Sequence, residues 1–113
     1  YRHGWYTSPD GELASNMDSN DSYFNTVGHF DHASDTVDRY SFGQSNTSEA
    51  LFVPKSADSP EGEGYLLAVT TSFETHTSSL CILDALNLAK GPLAKVHLSH
   101  CVPGGFHGAW RNA

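Results

Sequence analysis

The sequence predicts an all-β chain, and three observations predict it. No segment of the 113 residues keeps apolar positions at a helical period over the length a stable helix needs. Short runs rich in β-branched and aromatic residues alternate with clusters of Ser, Asp, Asn, Gly and Pro, the residues that make turns. A faint internal repeat then sets the spacing. Val27-Gly28-His29-Phe30-Asp31 runs into a turn and is followed by Thr36-Val37-Asp38-Arg39-Tyr40; Leu80-Cys81-Ile82-Leu83-Asp84 runs into a turn and is followed by Leu93-Ala94-Lys95-Val96-His97. The two turn aspartates stand 53 residues apart, near the roughly 50-residue blade period of some β-propellers.

Taken in order, Arg2–Thr7 is a short aromatic strand ended by the turn signal Ser8-Pro9-Asp10-Gly11. Glu12–Asp21 is polar and reads as an exposed loop. Tyr23–Asp31 and Thr36–Phe42 are two β-type runs, and His32-Ala33-Ser34-Asp35 is short enough to be their hairpin loop. Gly43–Ser48 reads as a polar connector, Glu49–Pro54 as a strand, and Ser56–Gly64 as a loop. Gly64–Phe73 and Ser79–Asp84 are strands with dense apolar middles. Ala85–Leu88 has room for one helical turn before Gly91-Pro92 stops it, and Leu93–Leu98 is a last strand.

Aligned on the repeat, residues 49–98 supply four antiparallel strands, one complete blade. Residues 1–42 supply three strands of a partial blade, and residues 102–113 begin the first strand of a closing blade. This predicts a piece of a larger propeller. The alternative, a small open sandwich folding alone, leaves unpaired strand edges that need protection.

Composition narrows the function. A formal net charge of −7 with no basic cluster argues against a nucleic-acid partner. The longest apolar run, Tyr65–Val69, is too short for a transmembrane segment. No signal peptide opens the chain, which starts on Tyr1 rather than methionine, and this leads us to expect processing or truncation. Cys81 and Cys101 lack metal-ligand or redox spacing, and Cys81, among apolar neighbours, reads as a small buried residue.

The chemistry concentrates in Val102-Pro103-Gly104-Gly105-Phe106-His107-Gly108-Ala109-Trp110. Glycines let a backbone adopt conformations closed to other residues, and a histidine so held is placed to use one ring nitrogen. The repeat puts Glu49 and His107 at matching blade positions, each heading a first strand. A metal-bound histidine commonly donates its other ring N–H to a carboxylate, which makes Glu49 a candidate partner of His107. The other six histidines, His3, His29, His32, His76, His97 and His100, read as solvated.

Four stretches carry a family resemblance: Glu49-Ala50-Leu51-Phe52-Val53-Pro54-Lys55, Glu61–Leu67, Leu80–Ala85, and Val102-Pro103-Gly104-Gly105-Phe106-His107-Gly108. In this order the chain resembles the C-terminal part of carotenoid cleavage oxygenases. Gly91-Pro92-Leu93-Ala94 and Gly108-Ala109-Trp110 look most like the lignostilbene dioxygenase branch. The resemblance implies a seven-bladed β-propeller with one non-haem Fe(II) on its axis, held by four histidines, most of them hydrogen-bonded to carboxylates. It implies that His107 is an iron ligand and Glu49 one of the glutamates that hydrogen-bond to the ligand histidines; the pairing of Glu49 with His107 in particular is inferred from the repeat. Phe106 or Trp110 either walls the site or is ordinary core packing. Cys101 stands where the family usually has a basic residue. The implied activity is oxidative cleavage by O2 of a conjugated C=C bond in a small apolar carotenoid, apocarotenoid or stilbene, giving two carbonyl products. The other iron ligands have no counterparts here, so the rest of the propeller is needed and the isolated chain is expected to be inactive. The expected location is the bacterial cytoplasm. Two rivals stand beside this reading: a catalytically incomplete β-rich fragment or interaction module without metal, and a hydrolase using His107 as general base. The second lacks a serine or cysteine in a nucleophile setting.

Overall fold

Strands form where β-branched and aromatic residues cluster, and side-chain alternation decides which face each one buries. The computed structural model describes residues 1–10, 24–105 and 107–111. The Glu12–Asp21 loop and Phe106 lie outside the described residues.

The first sheet contains β1 (His3–Ser8), β2 (Thr26–Asp31) and β3 (Thr36–Ser41), antiparallel in that order. Central β2 is buried at five of its six positions. Its Gly28 is required, because the Tyr6 ring lies where a Cβ would stand. The β2–β3 turn is closed by Asp31, whose Oδ1 accepts the Ala33 N–H at 2.9 Å, and the Arg2 guanidinium grips the same carboxylate at 2.8 and 2.6 Å.

The second sheet is built on β6 (Gly64–Ser72). β7 (Ser78–Asp84) pairs along one side of β6, and β8 (Ala94–His97) pairs with β7. On the other side of β6 lie β4 (Ser45–Thr47), against Thr70–Ser72, and β5 (Leu51–Pro54), against Gly64–Leu67. β4 and β5 are thus one strand interrupted at residues 48–50. The expected polar connector 43–48 is therefore partly a strand. Ladder bonds need only backbone, so Ser45, Asn46 and Thr47 pair with equally polar Thr70, Thr71 and Ser72 despite offering no apolar signal.

The pleat gives β6 and β7 two distinct faces. Leu66 opposite Leu83 and Ala68 opposite Cys81 are buried and form the core with Val27 and Leu88. Each buried leucine contributes about 1.5–3 kcal/mol. Trp5 joins the sheets: its ring stacks on Phe52 at 4.4 Å and 11°, and its Nε1–H donates to the Ala85 carbonyl at 2.8 Å. The helical turn expected over 85–88 lies slightly later, as a 3-10 turn at Leu88–Lys90. It is pinned by the Asp38 carboxylate accepting the Ala89 N–H.

One expectation about the histidines is corrected. His29 is buried rather than solvated, at 6% exposure. Its ring lies between Trp5 (5.5 Å) and His3, with His3 Nδ1 and His29 Nε2 2.9 Å apart. Residues 102–105 and 107–111 form no strand. A strand needs a second backbone to pair with, and among the described residues none lies alongside this segment; side chains hold it instead.

Candidate functional site

The second face of β6–β7 carries the site. Leu67 opposite Ile82 and Val69 opposite Leu80 point away from the core. With Leu51, Val102 and Pro103, three of them (Leu67, Val69 and Leu80) line an apolar groove of about 300 Å³ between the sheet and the glycine-rich segment. Glu49 and His107 also line this groove.

Glu49 is placed by the interruption between β4 and β5. At Ser48 the ladder is completed with a side chain. The Ser48 N–H donates to the Val69 carbonyl at 2.8 Å, while the Val69 N–H donates to Ser48 Oγ at 3.0 Å. Both ladder groups of Val69 are satisfied, and the chain turns so that the next residue, Glu49, faces the crossing segment.

His107 arrives on that segment, and the structure brings the two side chains together. His107 Nδ1 lies 2.8 Å from Glu49 Oε2, and the Gly108 N–H donates to Glu49 Oε1 at 2.8 Å. One carboxylate thus holds both the imidazole and the next peptide. The Gly108 N–H and then the His107 ring hold the Glu49 carboxyl below its ordinary value. An ionised carboxylate only accepts, so Nδ1 carries a proton, and in the neutral ring Nε2 is the nitrogen that presents a lone pair. The His107 side chain is 88% exposed, which leaves Nε2 accessible. This donor chemistry fits one imidazole ligand of a metal ion, oriented by a carboxylate. Among the described residues no group of three His, Cys, Asp or Glu side chains converges on a point, so they supply one ligand and not a complete shell.

The remaining candidates fall elsewhere. Trp110 is half-exposed and does not line the groove. His97 lies on the outer strand β8, its Nδ1 3.1 Å from Ser79 Oγ. His3 pairs with His29 at the joint between the sheets. Sequence reasoning missed the hydroxyls that hold the site, Ser48, Thr71 and Ser78. Their only signal is a concentration of Ser and Thr at the ends of otherwise apolar strands, which also describes any hairpin end.

Residues 1–112 match the family model of the retinal pigment epithelial membrane protein, RPE65. The chain is 39% identical over 117 aligned positions to lignostilbene-alpha,beta-dioxygenase isozyme III of Sphingomonas paucimobilis, covering 100% of this chain and 24% of that enzyme. It is 39% identical over 90 positions to isoeugenol monooxygenase of Pseudomonas putida, covering 79% of this chain and 19% of that enzyme. The crystal structure of Pseudomonas brassicacearum lignostilbene dioxygenase superposes with a TM-score of 0.88 at 26% identity, covering 100% of this chain and 24% of that one. Cobalt-substituted Synechocystis ACO superposes with a TM-score of 0.84 at 25% identity, covering 100% and 22%. The chain spans about a quarter of the length of these relatives. The two sheets accordingly have the fold of part of a β-propeller.

Proposed function

The chain belongs to the retinal pigment epithelial membrane protein (RPE65) family, and on that premise we propose that it is part of a non-haem Fe(II) dioxygenase. The proposed reaction is cleavage by O2 of a conjugated C=C bond in a stilbene, apocarotenoid or carotenoid, giving two carbonyl products. Relatives named as lignostilbene and resveratrol cleavage enzymes support the substrate class. A cobalt-substituted neighbour supports a metal centre. The complete blade is residues 49–98, flanked by a partial blade over 1–42 and by the start of the next over 102–113, which gains its pairing partner from the rest of the propeller.

The observation that carries the reading is the Glu49–His107–Gly108 clamp. His107 Nε2 offers a neutral donor, and Glu49 keeps the proton on Nδ1 and fixes the ring plane. Fe(II), when bound, supplies the redox chemistry by which O2 reacts with an alkene, and histidine donors suit that metal. Leu67, Val69 and Leu80 give the groove beside the clamp an apolar wall suited to an apolar substrate. The other ligands come from other blades, so the isolated chain is inactive. No helix among the described residues is long and apolar enough to cross a membrane, and we place the enzyme in the bacterial cytoplasm.

The test is turnover of a lignostilbene-type substrate by the iron-loaded full-length protein under isotopically labelled O2. Two carbonyl fragments carrying label are expected. Iron-loaded protein that leaves stilbene, apocarotenoid and carotenoid substrates intact contradicts the reading.

A further inference from the structure

We propose that Thr71 and Ser78 are positioning residues for His107, acting through the backbone of Val102. The inference rests on the reading of His107 as a metal ligand and names what orients it.

Thr71 and Ser78 face each other where β6 and β7 meet their hairpin turn, with Thr71 Oγ1 and Ser78 Oγ 2.7 Å apart. Ser78 is fully buried. The Val102 N–H donates to Ser78 Oγ at 2.8 Å, and Thr71 Oγ1 donates to the Val102 carbonyl at 3.3 Å. Thr71 has one hydroxyl proton. If it goes to Val102, the Ser78 hydroxyl donates to Thr71. Every hydroxyl then gives one bond and takes one, and the three bonds close a ring around the Val102 residue: its N–H to Ser78, Ser78 to Thr71, Thr71 to its carbonyl. Hydrogen bonds joined in this way polarise and strengthen one another.

The ring stands in for a strand partner. Val102 has no neighbouring backbone to pair with among the described residues, yet both of its peptide groups are satisfied by side chains. Ser78 serves twice, because its own carbonyl accepts the Leu98 N–H at 3.0 Å. Loop 98–102 is therefore tied to one residue at both ends. Five residues beyond Val102 stands His107, on a path through Gly104 and Gly105 that has little stiffness of its own. Two anchors thus fix this path: the hydroxyl ring at Val102 and the Glu49 clamp at His107 and Gly108. Glu49 sets the ring plane, and the hydroxyl ring sets how far the segment reaches over the groove.

The test uses the full-length protein that carries this chain, as wild type, Thr71→Val, Thr71→Ser, Ser78→Ala and His107→Ala. Fe(II) and Co(II) dissociation constants are measured by chelator competition, and exchange of the Gly108 amide is measured in metal-free protein. Thr71→Val is expected to weaken metal binding by about tenfold, the low end for residues that support a ligand, and to speed Gly108 exchange; Thr71→Ser is expected to restore both. Ser78→Ala should match Thr71→Val where it folds, but Thr71→Val, nearly isosteric and less buried, decides. Wild-type affinity and exchange in Thr71→Val, while His107→Ala releases the metal, overturns this inference alone. A loss that Thr71→Ser fails to restore also overturns it, because packing and not the hydroxyl is then responsible. Retention of metal by His107→Ala at wild-type affinity overturns the reading of His107 and this inference with it.

Discussion

Glu49 is the residue whose chemistry is most constrained. Its two oxygens have separate tasks, one on the His107 ring and one on the Gly108 peptide. Glu49→Gln keeps an acceptor but loses the charge, and is expected to weaken metal binding roughly tenfold to a hundredfold. Chelator competition on the full-length protein reads that loss. The clamp also sets a pH dependence. Because the folded carboxyl lies below its ordinary value of 4.5, its stabilisation is present above that value and is lost as pH falls through the depressed one. The Gly108 amide should therefore lose its protection, measured against the intrinsic exchange rate at each pH, only in acid. His29 has the opposite chemistry and acts at higher pH. Burial first, and then neighbouring His3, push its imidazole below 6.5. The unfolded chain then binds the proton more readily, so this contribution is complete above 6.5 and declines as pH falls below it. Urea midpoints of the protein should drop between pH 7 and 5.5. His29→Phe, which keeps a ring against Trp5, should flatten that part of the profile.

At the scale of the elements, the β6–β7 pair decides both stability and site. Its inner face holds Leu66, Ala68, Cys81 and Leu83, and its outer face floors the groove. Leu66→Ala is expected to cost about 2–5 kcal/mol by leaving a cavity, measured by chemical denaturation. It leaves the Glu49–His107 contact intact while the protein stays folded. The sequence made this pair legible because alternating Leu, Ala, Val, Cys and Ile mark two faces at once. It hid β4, because Ser45-Asn46-Thr47 carries no apolar signal and is ordered by backbone alone, that of Thr70–Ser72 on one side and the Phe24 carbonyl, which accepts the Thr47 N–H, on the other. His29 was misread for a related reason. A histidine beside a turn looks solvated until the second sheet brings Phe52 and the Gly62 loop against Trp5 and His3.

For the molecule as a whole, the repeat between Asp31 and Asp84 revealed two successive sheets of similar layout, and the structure has a three-stranded sheet followed by a five-stranded one. Glu49 and His107 were legible as a pair because the repeat placed them at matching positions and because their residue types suit a carboxylate–imidazole bond. The hydroxyls behind them were not, since serine and threonine at strand ends carry no signal until a third segment crosses them. On the proposed reading the described residues supply one imidazole to the metal, too few to hold iron tightly without the other ligands. The isolated 113-residue chain is accordingly expected to emerge metal-free from a chelator wash, as read by elemental analysis.

The central claim is that His107 ligates the metal, and the most direct measurement is the iron content of the full-length protein against its His107→Ala variant after the same chelator wash. We predict stoichiometric iron in the wild type and its loss in a folded His107→Ala protein. Stoichiometric iron retained by folded His107→Ala would contradict the account.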